Sequence, residues 1–165
     1  MVEINVVGEF NAALENKFNK DVAGLKKGDT LVAHITSPGG HVETLKRMAA
    51  KVLELKQRGV TFVTHVPEYA NSAGFFFFLL GDHREIAEKA TVHYHAPRVK
   101  PSPDFIGTKS NLTEMLDELT AYQDFTNSIF RASVDIPDEL FSLLENSELP
   151  MNRGHLVSLG IINSN

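Results

Sequence analysis

The sequence predicts an α/β domain of repeated strand–turn–helix units followed by a helical region, and three observations carry that prediction. A β-rich run, Thr30 to Ile35, stops at Ser37-Pro38-Gly39-Gly40 and gives way to Val42, Leu45, Met48, Ala49, Val52 and Leu55 at helical spacing. The same order repeats with Val60 to Val66 as a strand, Pro67 to Asn71 as a loop and Ser72 to Gly81 as a helix. Beyond a proline-bearing loop, Asn111 to Ala132 carries one long apolar stripe.

Taken in order, Ile4 to Gly8 alternates weakly and ends in glycine, as a strand does, and Asn11 to Leu25 has helical spacing with Asn11 as its N-cap. Two successive strand–turn–helix units imply parallel strands joined by right-handed crossovers. Thr91 to His95 is a third short strand that ends at Ala96-Pro97. The loop from Arg98 to Gly107 separates this core from the helical remainder, where Pro137 to Leu144 forms a further short helix. Leu156 to Ile162 reads as a helix end with a glycine C-cap, Gly160, and then an edge strand.

A chain of 165 residues suits one domain, here residues 1–165, with a substantial core. Its net charge of −5 and the lack of a Lys/Arg run speak against a nucleic-acid partner. The absence of cysteine excludes disulfides, thiolate catalysis and Cys-ligated metal centres. The first residues carry neither a basic nor a long apolar segment, so a cytoplasmic location is expected. The most apolar stretch, Ala73 to Leu80, is less than half the roughly 20 residues of a membrane span and reads as a buried helix. No membrane partner is expected.

Reacting groups in a parallel sheet gather at the carboxyl ends of the strands, where Gly39-Gly40 and Ser72 both fall. A Gly-Gly turn offers unhindered amides to an oxyanion, and a serine among small residues suits a tight strand-to-helix turn. A serine hydroxyl needs a base to become a nucleophile. His93 and His95 share one strand face, and His95 is nearer its carboxyl end. A third group must orient the imidazole, and Asp135, Asp138, Glu139, Glu145, Glu148 and several asparagines remain open on spacing alone. Taken singly, each feature has a plainer reading: a simple turn, an N-cap serine, strand histidines satisfied by hydrogen bonds. The other histidines, His34, His41, His65, His83 and His155, lack the i, i+4 spacing of helical zinc motifs, so no metal site is expected.

The ordered set resembles the proteolytic subunit of the Clp protease and its relatives in the ClpP/crotonase fold. The matching pieces are Ile4 to Gly8 for the first strand, Ile35-Thr36-Ser37-Pro38-Gly39-Gly40 for the oxyanion turn, Ala70-Asn71-Ser72-Ala73-Gly74 for the nucleophile turn, and His93-Tyr94-His95-Ala96-Pro97 for the histidine motif. The resemblance implies a serine-type endopeptidase with Ser72 as nucleophile, His95 as general base and the amides of Gly40 and Ala73 as oxyanion donors, working without a cofactor. An ungapped count back from Leu159-Gly160-Ile161-Ile162-Asn163 places the family's orienting acid at Glu148, with Asn146 and Asn152 as substitutes.

The resemblance also bears on partners. Family members that dock onto an unfolding ATPase carry an axial segment before the first strand, whereas here the strand begins almost at Met1. An ATPase partner is therefore not expected, and short or unfolded polypeptides are the expected substrates. The family's glycine-rich, peptide-pairing strand is replaced by Arg98-Val99-Lys100-Pro101-Ser102-Pro103-Asp104, whose prolines lack amide donors. Asn111 to Ala132 is similar to the family's handle helix, which implies a homo-oligomeric ring. Two other functions fit the same fold. A crotonase-like acyl-thioester enzyme shares the two-amide oxyanion hole without needing Ser72 and His95, and a catalytically silent ring subunit or scaffold keeps the fold without a competent triad.

Overall fold

Strict alternation of burial along neighbouring strands sets the architecture. The computed structural model describes residues 1–148 and 150–164. In chain order the first elements are β1 (Val2–Val7), α1 (Ala12–Val22), β2 (Thr30–Thr36), α2 (Val42–Gln57), β3 (Thr61–Val66), β4 (Tyr69–Asn71) and α3 (Ala73–Leu79). They are followed by β5 (His83–Ile86), β6 (Thr91–His93), α4 (Lys109–Ser133), α5 (Asp138–Ser147), β7 (Pro150–Asn152) and α6 (Arg153–Ser158).

β1, β2, β3 and β5 form a parallel sheet in that order. Ile4, Val6, Leu31, Ala33, Ile35, Phe62, Thr64 and Val66 are buried at every second position, and the residues between them lie on the other, more open face. A smaller sheet runs β4-β6-β7, with β4 parallel and β7 antiparallel to β6. A single bridge between Ser37 and Ala70 joins the two sheets at the exit of β2.

α3 ties the layers together because all seven of its residues are buried. The ring of Phe77 meets Phe10, Phe18 and Phe62 edge-on at centroid distances of 5.6, 5.6 and 5.7 Å. Phe76 meets Tyr94 at 5.5 Å, and Tyr94 stacks on Phe130 of α4 at 4.7 Å. Burying each such ring contributes about 1.5–3 kcal/mol, so the helix that follows Ser72 is anchored on both sides.

Asn11 caps α1 as its position predicts, its side chain accepting from the Leu14 amide at 3.0 Å. Three short strands have no sequence expectation behind them: β4 lies within the expected loop, and no element is expected from sequence over the residues of β5 or β7. The edge strand expected near Ile161-Ile162 does not form. The amides of Ile161 and Ile162 turn back to the Leu156 carbonyl at 2.9 and 3.4 Å, which removes them from any ladder. The edge position beside β6 goes to β7 instead. Of the α4 stripe, Ile129 and Phe130 are buried, whereas Leu112 and Leu116 are 53% and 62% exposed. Among the described residues no helix is long and apolar enough to cross a membrane.

Candidate active site

Three turns meet at the carboxyl end of the strands. Ser37, fully buried at the end of β2, donates its hydroxyl proton to the Gly8 carbonyl at 2.7 Å and accepts from the Gly39 amide at 3.1 Å. The turn then passes through Gly39 at φ 107° and Gly40 at φ 146°. Both positions need glycine. A Cβ on Gly39 would lie 2.8 Å from the Ser72 Cβ, and one on Gly40 would lie 2.5 Å from the Phe10 carbonyl oxygen. Gly40 is held between two backbone bonds, Phe10 amide to Gly39 carbonyl at 2.8 Å and His41 amide to Phe10 carbonyl at 2.9 Å. Its own amide takes part in neither.

Ser72 sits between β4 and α3 at φ 52° and ψ −119°, a conformation that costs a residue with a side chain about 1–3 kcal/mol. Two bonds impose it: the Ser72 amide donates to the His93 carbonyl at 2.8 Å, and the Asn71 amide to the Ser37 carbonyl at 2.9 Å. Although Ser72 occupies the N-cap position, its hydroxyl makes no capping bond to the helix. The plain reading of this serine as a cap is therefore not what the geometry shows. The amide of Ala73, the first of α3, is one of the helix's unpaired donors.

His95 follows β6 and lines the same cavity as Ser72 and Gly40, a cleft of about 680 Å³. Its Nδ1 lies 2.9 Å from the Ala96 carbonyl oxygen, which can only accept. Neutral His95 thus carries its proton on Nδ1 and a free lone pair on Nε2, the tautomer a general base requires. His93 packs beside it with ring centroids 5.6 Å apart, and its Nε2 is buried without a hydrogen-bond partner among the described residues.

Glu148, the acid that the resemblance implies, is engaged elsewhere. It stands at the left-handed C-cap of α5 with φ 52°, is exposed, and pairs with the Arg98 guanidinium. Four of the other candidates also have partners of their own, and Asp135 and Glu139 make no hydrogen bond or ion pair among the described residues. Asp138 pairs with Arg131 at 2.9 Å, Glu145 takes the side-chain amide of Gln123, Asn146 donates to the Ser142 carbonyl at 2.8 Å, and Asn152 caps α6. The structure therefore brings Ser72, His95 and Gly40 to one cleft, with Ala73 next to Ser72, and leaves Glu148 at its edge through Arg98.

Several cleft residues were not singled out from sequence. Arg98 and Tyr122 both line it. Tyr122 belongs to the α4 stripe, read as packing surface, yet its hydroxyl donates to the Glu118 carboxylate at 2.7 Å, a bond that pushes the phenol's ionisation above its ordinary range. Among the described residues no group of three or more histidines and carboxylates is arranged to hold a metal ion. Comparison with protein-family models finds no match, and comparison with curated proteins finds no significant one.

Proposed function

We propose that this chain is a serine endopeptidase of the Clp proteolytic-subunit type, with the ClpP/crotonase form of the α/β fold. The observation that carries the reading is Ser72, held in a strained backbone conformation with its hydroxyl uncommitted to the helix, in one cleft with a histidine whose Nε2 lone pair is free. Strain of this kind persists where function uses it.

In the reaction, Ser72 Oγ attacks a peptide carbonyl while His95 Nε2 takes its proton. The amides of Gly40 and Ala73 hold the oxyanion of the tetrahedral intermediate. The imidazolium keeps its Nδ1–H on the Ala96 carbonyl, then gives the Nε2 proton to the leaving amine, and a water activated by the same nitrogen releases the acyl group. No cofactor takes part. In this account the Ala96 carbonyl orients the base and Glu148 anchors the Arg98 loop.

Pro101 and Pro103 stand in the segment where the resembling family pairs a strand with its substrate, and the segment from 94 to 108 forms no strand here. Fewer main-chain bonds to the peptide follow, and with them weak substrate binding. Leu112, Leu116 and Leu143 stand exposed on α4 and α5, which supports assembly of several copies into a ring.

The second reading, a catalytically silent subunit of the same fold, is favoured by one observation: His95 Nδ1 meets a neutral carbonyl rather than a carboxylate. Hydrolysis of an unstructured fluorogenic peptide distinguishes them. The peptidase reading predicts cleavage by the wild type and none by Ser72→Ala. Equal cleavage by both overturns it.

A further inference from the structure

The open face of the main sheet carries a pair of histidines with no part in the cleft. β2 and β3 run in register, so that His34 lies opposite His65, and their Nδ1 atoms are 3.0 Å apart. The rings meet edge to face at 5.2 Å. On the outer side of the pair, His34 Nε2 lies 3.2 Å from Glu3 Oε2 of β1. Beyond His65, Glu85 of β5 holds the next place in register.

These contacts fix the protons. A carboxylate only accepts, so His34 carries its proton on Nε2 and presents the lone pair of Nδ1 to its neighbour. His65 must then donate from Nδ1. Burial first, and the adjacent His34 second, hold the His65 pKa below its ordinary value, against the opposing pull of Glu85. The two Nδ1 atoms thus share one proton, and once it leaves Nδ1 of His65 both nitrogens present a lone pair.

We propose that His34 and His65 together chelate one divalent cation of the copper and nickel class through their Nδ1 atoms. With metal–nitrogen bonds of about 2.0–2.1 Å, a nitrogen separation of 3.0 Å subtends roughly 95° at the metal. That angle suits the tetragonal geometry of Cu²⁺ or Ni²⁺, whereas a tetrahedral ion needs about 3.3 Å between the nitrogens. On binding, the proton on His65 Nδ1 moves to its Nε2, and each ring turns about its soft Cβ–Cγ bond to aim at the ion. Water on the exposed face completes the coordination.

Glu3 is the positioning residue of this site. A ligating histidine commonly donates its second N–H to a carboxylate, which fixes the tautomer and raises the basicity of the ligating nitrogen, and this is the relation between Glu3 and His34. The charged and titratable groups facing the pair are Glu3 from β1 and Glu85 and His83 from β5, with neutral Asn5 beside them. The two carboxylates that flank the pair make a net attraction for a cation.

Titration calorimetry of the untagged full chain with NiCl₂ tests the site. The expected result is one Ni²⁺ per chain, affinity lowered at least tenfold by His34→Ala or His65→Ala, about tenfold by Glu3→Ala, and less than twofold by His83→Ala. The Glu3 variant separates a built site from an incidental histidine pair, which would not respond to it. Should a histidine variant fail to fold, diethylpyrocarbonate modification of the wild type, mapped by mass spectrometry, replaces it, with Ni²⁺ expected to protect His34 and His65 above the other histidines. Wild-type affinity in a variant that carries both His34→Ala and His65→Ala, no saturable binding, or no such protection overturns the proposal.

Discussion

The amide of Ser72 donates to the carbonyl of His93 over 2.8 Å, and this bond pins the serine turn to the strand that leads, two residues on, to His95. Ser72 and His95 thus follow the ends of adjacent parallel strands, β4 and β6, whose register Asn71 to His93 sets their relative height.

His95 and His93 should respond in opposite ways. His95→Ala removes the only Nε2 lone pair assigned to Ser72 and should lower peptide hydrolysis by about 10²–10⁴-fold. His93→Leu deletes a buried nitrogen that has no partner among the described residues, so it should leave hydrolysis within a few-fold and raise the unfolding midpoint. Loss of activity in His93→Leu with activity kept in His95→Ala would exchange their roles.

Substitution of the paired glycines should separate stability from activity. At Gly40 a Cβ meets the Phe10 backbone at 2.5 and 2.6 Å, and backbone cannot yield as a side chain can. Gly40→Ala should cost about 1–3 kcal/mol or more in urea unfolding. At Gly39 the first atom met is the Ser72 Cβ, so Gly39→Ala should displace the nucleophile and cut hydrolysis more than tenfold. Wild-type kinetics in Gly39→Ala would show that the two turns are not coupled.

Glu148 makes the sharpest contrast between resemblance and geometry. Because its carboxylate holds Arg98 and His95 Nδ1 is satisfied by Ala96, Glu148→Gln should change kcat/KM by less than about threefold. A drop of a hundredfold would mean that Glu148 leaves Arg98 and orients the base during turnover.

Much of the fold was legible because its signals are local. β1, β2 and β3 declare themselves by β-rich runs, α1 by its Asn11 cap, and the two turns that line the cleft by glycine and small residues at strand ends. What escaped depends on partners distant in the chain. β4 and β7 are three residues each and exist because β6 lies between them. The partner of Glu148 is set by the left-handed turn after α5, which carries no glycine to announce it. The pairing of His34 with His65 was hidden by a separation of 31 residues, yet Thr30-Leu31-Val32-Ala33-His34 and Thr61-Phe62-Val63-Thr64-His65 share a Thr-to-His spacing that the in-register strands convert into contact.

Stability should depend on pH through His65. Its folded pKa lies below the unfolded value of about 6.5, so its contribution is whole above that pH and is lost as pH falls through the folded pKa. The thermal midpoint should therefore drop between pH 7 and 5, and His65→Gln should flatten that slope. An equally steep slope in the variant would assign the acid sensitivity to other groups.

The central claim is that Ser72 is an activated nucleophile, and labelling with a fluorophosphonate probe, followed by peptide mapping, tests it most directly. The account predicts a single adduct on Ser72, absent in Ser72→Ala and at least a hundredfold slower in His95→Ala. No adduct on the folded, assembled protein, or an adduct on another serine, would contradict it.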